Sequence, residues 1–276
     1  MNTFLWLFLT ALLPVVLSAL VYLTRHVKAI GRMPYPVRQL LIGLLFGGLA
    51  ILGTEYGIKI DGAVINARDA SPICAGLFFG APAGVIAGVI GGAERWFAVL
   101  WGAGEYTRLA CSVSTVLAGV FAAALRKFMF DNKKPKWYYC LAAAVIAEVI
   151  HMLMIFLTNM TDVQTAFSFV RACSLPMIAV NGLSVMLAGE LLSLLSEREH
   201  RGARHELKKI SQSFQRWLLV CVTGGFLMTT LFTWALQAEL AKNEAYTLVR
   251  LNLEDVRQDI VDASDKNLLR LTRTIA

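Results

Sequence analysis

From Phe4 to Leu23 the chain carries no charged side chain. Crossing a bilayer takes roughly 20 residues of helix, so this block is long enough to span one. Comparable blocks recur at 38–54, 108–125, 137–157, 173–195 and 217–236. Backbone in hydrocarbon has to satisfy its hydrogen bonds within its own segment, which makes helices the expected form. The composition agrees: 57% of the 276 residues are hydrophobic, 16% are charged, and the mean hydropathy is +0.60. A soluble domain needs more polar surface than that. The expected fold is an all-α polytopic transmembrane bundle of 7–8 membrane helices. Met1-Asn2-Thr3 has no Lys or Arg, and the positive charges follow the apolar run. That order suits an uncleaved first helix with its N-terminus outside.

Positive charge sets the topology. Residues 25–38 hold Arg25, Lys28, Arg32 and Arg38 without an acid. Residues 126–136 hold Arg126, Lys127, Lys133, Lys134 and Lys136. Residues 196–216 hold Arg198, Arg201, Arg204, Lys208, Lys209 and Arg216. Each cluster abuts an apolar block, so a bilayer surface rather than nucleic acid is the expected partner of the net charge of +7. All three linkers become cytoplasmic if the region 63–101 crosses twice, as helices 64–80 and 83–101 with a turn at Gly80-Ala81-Pro82. Gly80 suits a helix end and Pro82 a helix start. A single Pro-kinked helix is the alternative.

Gly80, Gly84, Gly88 and Gly92 recur every fourth residue, a spacing that lets helices approach closely in lipid. Packing within the chain is the plainer use of this stripe, with Gly43 and Gly47 as a possible matching face. Homodimerisation is the sharper one.

Polar residues inside apolar blocks face protein or a wet cavity. Asn66 and Arg68 are expected at the outer end of the third helix, and Glu94 and Arg95 in the outer part of the fourth. Glu148 and His151 lie one turn apart on the sixth, and Pro176 and Asn181 in the outer half of the seventh. Two roles compete without excluding each other. One is internal pairing of Arg68 or Arg95 with Glu94 or Glu148. The other is a polar pocket, open to the outside, for a small ligand. His151 alone reads as an internally satisfied histidine. Pro176 is expected to bend its helix beside Asn181. No catalytic motif, metal site or cofactor is expected. Cys74, Cys111, Cys140, Cys173 and Cys221 form no CxxC pair. The segment "RHELKKI" at 204–210 resembles a histidine phospho-acceptor box but sits in a basic loop with no ATP-binding domain after it.

Past residue 236 the chain mixes charges of both signs with apolar residues. Val249, Leu253, Val256, Ile260 and Ala263 follow a 4-3-4-3 spacing, so an amphipathic helix is expected. It lacks a partner face, and its pattern continues to the last residues. The divisions read as 1–37, a first span with its basic loop; 38–195, the main bundle; 196–236, a basic loop and last span; and 237–276, the start of an extracytoplasmic helical region.

The order of motifs carries a resemblance. Asn66-x-Arg68 is followed by "GLFFGAPAG", then Glu94-Arg95, "WGAGEYTR", Glu148 and "LPMIAVNG" at 175–182. This order resembles the LytS/YhcK-type five-transmembrane receptor domain of bacterial signalling proteins over residues 38–195. The resemblance implies a membrane sensor linked to an output module: a histidine kinase, in some members tied to cell-wall regulation, a diguanylate cyclase or a phosphatase. It implies that Asn66, Arg68, Glu94, Arg95, Glu148, Pro176 and Asn181 form the polar signature. The tail resembles the first helix of Cache-type sensor domains. The turn at Gly80 also resembles substrate-binding subunits of energy-coupling-factor transporters, and a plain membrane anchor is the remaining alternative.

Overall fold

The computed structural model describes residues 3–25, 27, 30, 32–60, 63–197 and 210–275. Most of the basic linker 196–216, including nearly all of the segment 204–210, lies outside the described residues. Helix α1 is Thr3–Thr24 and α2 is Tyr35–Glu55. A two-stranded hairpin follows, β1 (Ile58–Ile60) against β2 (Ala63–Ile65), with Ile58 opposite Ile65. Helix α3 comprises Ala70–Cys74 and a π-helical turn, Ala75–Phe79. Helix α4, Ala81–Phe97, ends in the 3₁₀ turn Ala98–Trp101. Helix α5 is Arg108–Ala124 with a π-helical turn, Leu125–Met129. Helices α6 (Trp137–Thr158), α7 (Val163–Glu197) and α8 (Ile210–Ile275) complete the chain. Among the described residues, six helices are long and apolar enough to cross a membrane: α1, α2, α4, α5, α6 and α7. Helix α3 is shorter and apolar. The fold is the expected all-α polytopic bundle, with a short helix–turn–helix in the expected place.

The third helix starts later than the expected residue 64. Residues 63–65 are a strand, and α3 begins at Ala70. Asn66 diverts the backbone: its Nδ2 donates to the Val64 carbonyl (3.1 Å), and its Oδ1 accepts the Arg68 N–H (3.2 Å). Such local side-chain bonds compete with a helix. Asn66 and Arg68 therefore sit in the loop before the helix rather than on it.

Gly80 separates α3 from α4. Its φ of 154° and ψ of 153° fall in a region essentially reserved for glycine. A Cβ there would collide with the Gln39 side chain. Gln39, buried on α2, bridges the break: its Nε2 donates to the Phe79 carbonyl (3.0 Å), and its Oε1 accepts the Ala83 N–H (3.2 Å). Pro82 occupies the first turn of α4, where its missing N–H costs nothing.

Helix α2 serves as a ruler for this hairpin. Gly53, near its C-terminal end, lies against the Arg68 backbone, while Gln39, near its start, lies against Gly80. The fourteen residue steps between them rise about 21 Å. Segment 68–80 covers that distance, and α4 returns until the Trp101 indole N–H donates to Glu55. A single kinked helix would not return.

The glycine stripe packs inside the chain. A Cβ on Gly84 would lie 2.5 Å from Gly76 Cα of α3, one on Gly88 2.9 Å from the Thr115 carbonyl oxygen, and one on Gly92 2.6 Å from that of Ser112. Gly119 of α5 abuts Gly84 in turn. The matching face is therefore α5 with α3. Gly43 and Gly47 instead meet Ile86 and Ile90 of α4. With α5 covering it, the stripe does not offer its face to a second copy.

The chain divides into two units, Met1–Thr223 and Gly224–Ala276. In the first, α3 is enclosed, with Ala70, Ile73, Cys74 and Leu77 all fully buried. In the second, every described side chain from Glu239 to Asn267 is exposed, including Val249, Leu253, Val256 and Ile260. Glu254 and Arg257 pair at 3.1 Å on its surface.

Candidate functional site

Loop 66–69 carries its polar groups into the bundle interior. Asp69 is the hub, its carboxylate 2% exposed. Its Oδ1 accepts from Arg68 Nε (3.3 Å) and from the Thr115 hydroxyl of α5 (2.7 Å). Its Oδ2 meets His151 Nδ1 of α6 at 2.9 Å. The other imidazole nitrogen lies 3.3 Å from Cys111 Sγ. Arg68 is fully buried, and its Nη2 donates to the Cys111 carbonyl (3.4 Å).

Asn181 ties α7 to this loop. Its Oδ1 accepts the Ala70 N–H at the start of α3 (2.9 Å), and its Nδ2 donates to the Asn66 and Met177 carbonyls (both 3.1 Å). It thus caps a helix other than its own, which leaves one fewer unsatisfied amide in the interior. Arg95, 2% exposed, donates through Nη2 to the Gly104 carbonyl (2.7 Å) and the Thr107 hydroxyl (3.1 Å), pinning the α4–α5 connection.

Of the residues singled out from sequence, Asn66, Arg68 and Asn181 join one network. Glu148 borders it, with Oε2 3.7 Å from His151 Nδ1. Neither arginine pairs with Glu94 or Glu148 as expected. Asp69 takes that role for Arg68, and main-chain and hydroxyl oxygens take it for Arg95. Pro176 lies half-buried within α7, and no described hydrogen bond of the network includes it. Sequence reasoning passed over Asp69, Cys111 and Thr115 and discounted His151. Two signals were available: an acid directly after Arg68 in an otherwise uncharged stretch, and the i, i+3 pair Glu148 and His151.

Several buried polar atoms have no hydrogen-bond partner. Among the described residues, the donors are Arg68 Nη1, Arg95 Nη1 and the Ser18, Ser71, Ser112 and Ser114 hydroxyls. The acceptors are both carboxylate oxygens of Glu94 and of Glu148. Each such atom costs about 1–3 kcal/mol if left unmet. Asp69, Glu148 and His151 also bring ligand atoms within 4.8 Å of one another, a donor set that suits a metal cation. Arg68 already supplies positive charge to Asp69, and Asp69 is already bonded to His151. Asp69 is thus paired within the network, while Arg68 Nη1 and the Glu148 carboxylate at its edge are not.

Residues 22–194 match the 5TMR of 5TMR-LYT, a five-transmembrane receptor region. Among characterised proteins, the chain is similar to the sensor histidine kinase YpdA of Escherichia coli K12, with 24% identity over 172 residues, covering 61% of this chain and 29% of YpdA. It is similar to the sensor histidine kinase BtsS of the same strain, with 26% identity over 165 residues, covering 58% and 28%. The sensor protein LytS of Bacillus cereus is 25% identical over 177 residues, covering 61% and 28%. The matched stretch is thus less than a third of each relative's length. No solved structure matches the chain.

Proposed function

The chain belongs to the 5TMR-LYT family, and on that premise we propose that its buried polar network receives a small anionic ligand from outside the cell. The chain is a multi-pass bacterial membrane protein and the sensor region of a signal-transduction protein. The observation that carries the ligand reading is the pair of buried arginines, Arg68 and Arg95, each with one guanidinium nitrogen lacking an acceptor. Guanidinium donors match a carboxylate well. The Ser112 and Ser114 hydroxyls add donors from α5. A carboxylate bound there would contact α4 and α5 and, through Arg68 and Asp69, the start of α3. Ligand binding acts by favouring one of two packings of these helices.

In this reading the three basic linkers are cytoplasmic, and the N-terminus and residues 237–276 are extracytoplasmic, the latter opening a Cache-like sensor region. The output is a phosphorelay kinase, as the names of the relatives suggest. Similarity to sensor kinases favours this reading over the transporter subunit and the plain anchor.

The test uses the purified chain in nanodiscs and a panel of two- to four-carbon mono- and dicarboxylates, with thermal stabilisation as readout. At least one carboxylate should raise the melting temperature, and Arg68→Gln and Arg95→Gln should each abolish the shift while the protein still inserts. If no carboxylate stabilises the chain, or both variants respond like the parent, the network is not the ligand site.

A further inference from the structure

At the opposite end of α3 lies a cavity of about 280 Å³, lined by residues of α1, α2, α3, the α1–α2 connection and the α5–α6 loop. We propose that this cavity binds the headgroup of an anionic phospholipid, with an acyl chain running along α2. The site is separate from the polar network, and the inference stands without the ligand reading.

Charge supports the headgroup assignment. Arg25, Arg38 and Lys134 line the cavity, and none of its lining residues is acidic. Two of these cations converge on one ring: Arg25 Cζ lies 3.8 Å and Lys134 Nζ 3.5 Å from the centre of Tyr22. Partial burial, and then the charges of Arg25 and Arg126, hold the Lys134 ammonium down at about 8. Like charges gathered this closely favour an anion among them. Basic pockets between membrane helices take phosphate-bearing lipid headgroups for this reason.

The walls identify a lipid rather than a free anion. Ile42, Phe78 and Phe79 form the inner side of the cavity, and Leu41 and Leu45 carry its apolar wall outward along α2. Leu41 and Leu45 are 42% and 52% exposed on a helix apolar enough to cross the membrane, so the cavity is continuous with a lipid-facing surface. A small hydrophilic phosphate would leave that wall unmatched, whereas a diacyl phospholipid fits both parts. The basic linkers 25–38 and 126–136, which supply these cations, also mark this end as the one facing the anionic cytoplasmic leaflet.

Native mass spectrometry of the full 276-residue chain tests this. The chain is released from detergent with equimolar phosphatidylglycerol and phosphatidylcholine carrying the same acyl chains. Phosphatidylglycerol should be retained preferentially. A cation that meets the headgroup directly is worth about fivefold in binding, so Arg38→Gln with Lys134→Gln should weaken retention about 25-fold. Lys127→Gln removes an exposed charge of the same linker outside the cavity and should leave retention unchanged. Equal retention of both lipids, or an equal loss in Lys127→Gln, overturns the proposal. Displacement of phosphatidylglycerol by an equal concentration of inorganic phosphate overturns the lipid assignment in favour of a free anion. Should the double variant fail to fold, a photoreactive phosphatidylglycerol on the parent chain decides. Adducts at Leu41, Leu45 or Phe78–Phe79 support the site, and adducts confined elsewhere refute it.

Discussion

Replacing Asp69 with Asn should be among the most damaging conservative changes in the bundle. The carboxylate receives the Thr115 hydroxyl at 2.7 Å and Arg68 Nε at 3.3 Å, and it meets His151 Nδ1 at 2.9 Å. Asparagine has nearly the same shape and keeps the oxygen that faces Thr115. It removes the negative charge beside Arg68, which is 0% exposed. Stranding one partner of a buried ion pair costs about 3–5 kcal/mol. Glu148 Oε2, 3.7 Å from His151, takes over part of the compensation, so the lower end, about 3 kcal/mol, is expected. At about 2–4 °C per kcal/mol for a unit of this size, the melting temperature should fall by about 6–12 °C. Fluorescence-detected thermal unfolding in detergent measures it. The double variant Arg68→Gln/Asp69→Asn removes both charges and should recover more than about 1 kcal/mol relative to the sum of the single changes. Asp69→Asn melting within about 2 °C of the parent, or strict additivity in the cycle, would refute the ion-pair reasoning.

A matched glycine pair checks the helix packing. Gly84→Ala drives a methyl into the backbone of Gly76 and should cost about 1–3 kcal/mol, whereas Gly48→Ala meets nothing within 4 Å and should be neutral or stabilising. Equal melting temperatures for the two would contradict the close contact of α4 with α3 and α5. Asn181→Ala removes the cap on Ala70 and should cost about 1–2 kcal/mol in the same assay, and a silent substitution would show that α3 needs no cap from α7. Burial, with Arg25 and Arg126 nearby, holds Lys134 down at about 8, below the usual 10.5; it faces Tyr22 of α1, Arg25 just after that helix, Arg126 at the end of α5 and Arg38 across the cavity. Because the folded chain loses this proton before the unfolded one does, stability should rise as pH climbs from about 8 to 10.5. Anionic-lipid binding, which uses the ammonium, should weaken across the same window. Lys134→Gln should flatten both curves; unchanged curves would mean that another group titrates.

The parts of the fold legible in the sequence were those governed by composition and charge. Apolar blocks marked the helices, and the basic linkers favoured a helix–turn–helix over a single helix in region 63–101, the turn that Gly80 and Gln39 make. The start of α3 was hidden because an apolar run such as Ala63-Val64-Ile65 suits a strand as well as a helix, and Asn66 decides by bonding to its own backbone neighbours. Gln39 was passed over because a lone amide near a helix start has the look of a solvated residue. It became the bridge between α3 and α4 only once Gly80, forty-one positions later, came to lie beside it. The site followed the same pattern. Arg68 and Asn181 stood out as costly groups in apolar surroundings. Asp69 was masked by the arginine beside it, and His151 drew little weight on its own because its partner lies eighty-two positions away in sequence.

Helix α3 joins the two places where this bundle spends polar groups. Its first amide is held by Asn181, and the residue before it, Asp69, anchors the ion-pair network. Its last residues, Phe78 and Phe79, form a wall of the basic cavity, and Gln39 grips the Phe79 carbonyl. Between these ends lies a π-helical turn, Ala75–Phe79, in which the Gly80 N–H reaches the Ala75 carbonyl at 3.2 Å. Such turns recur at functional sites and store one residue of slack in the helix register. The flanking contacts leave little freedom for tilting, because Gly76 and Gly84 lack the side chains that would hold α3 and α4 apart. A π turn can absorb a one-residue shift along the helix axis. On the two proposals made above, an anion at Arg68 would act on the start of α3 through Asp69, and a lipid phosphate would act on its end. Coupling between binding sites is reciprocal. If the helix moves as one piece, occupancy at either site has to change affinity at the other by the same factor.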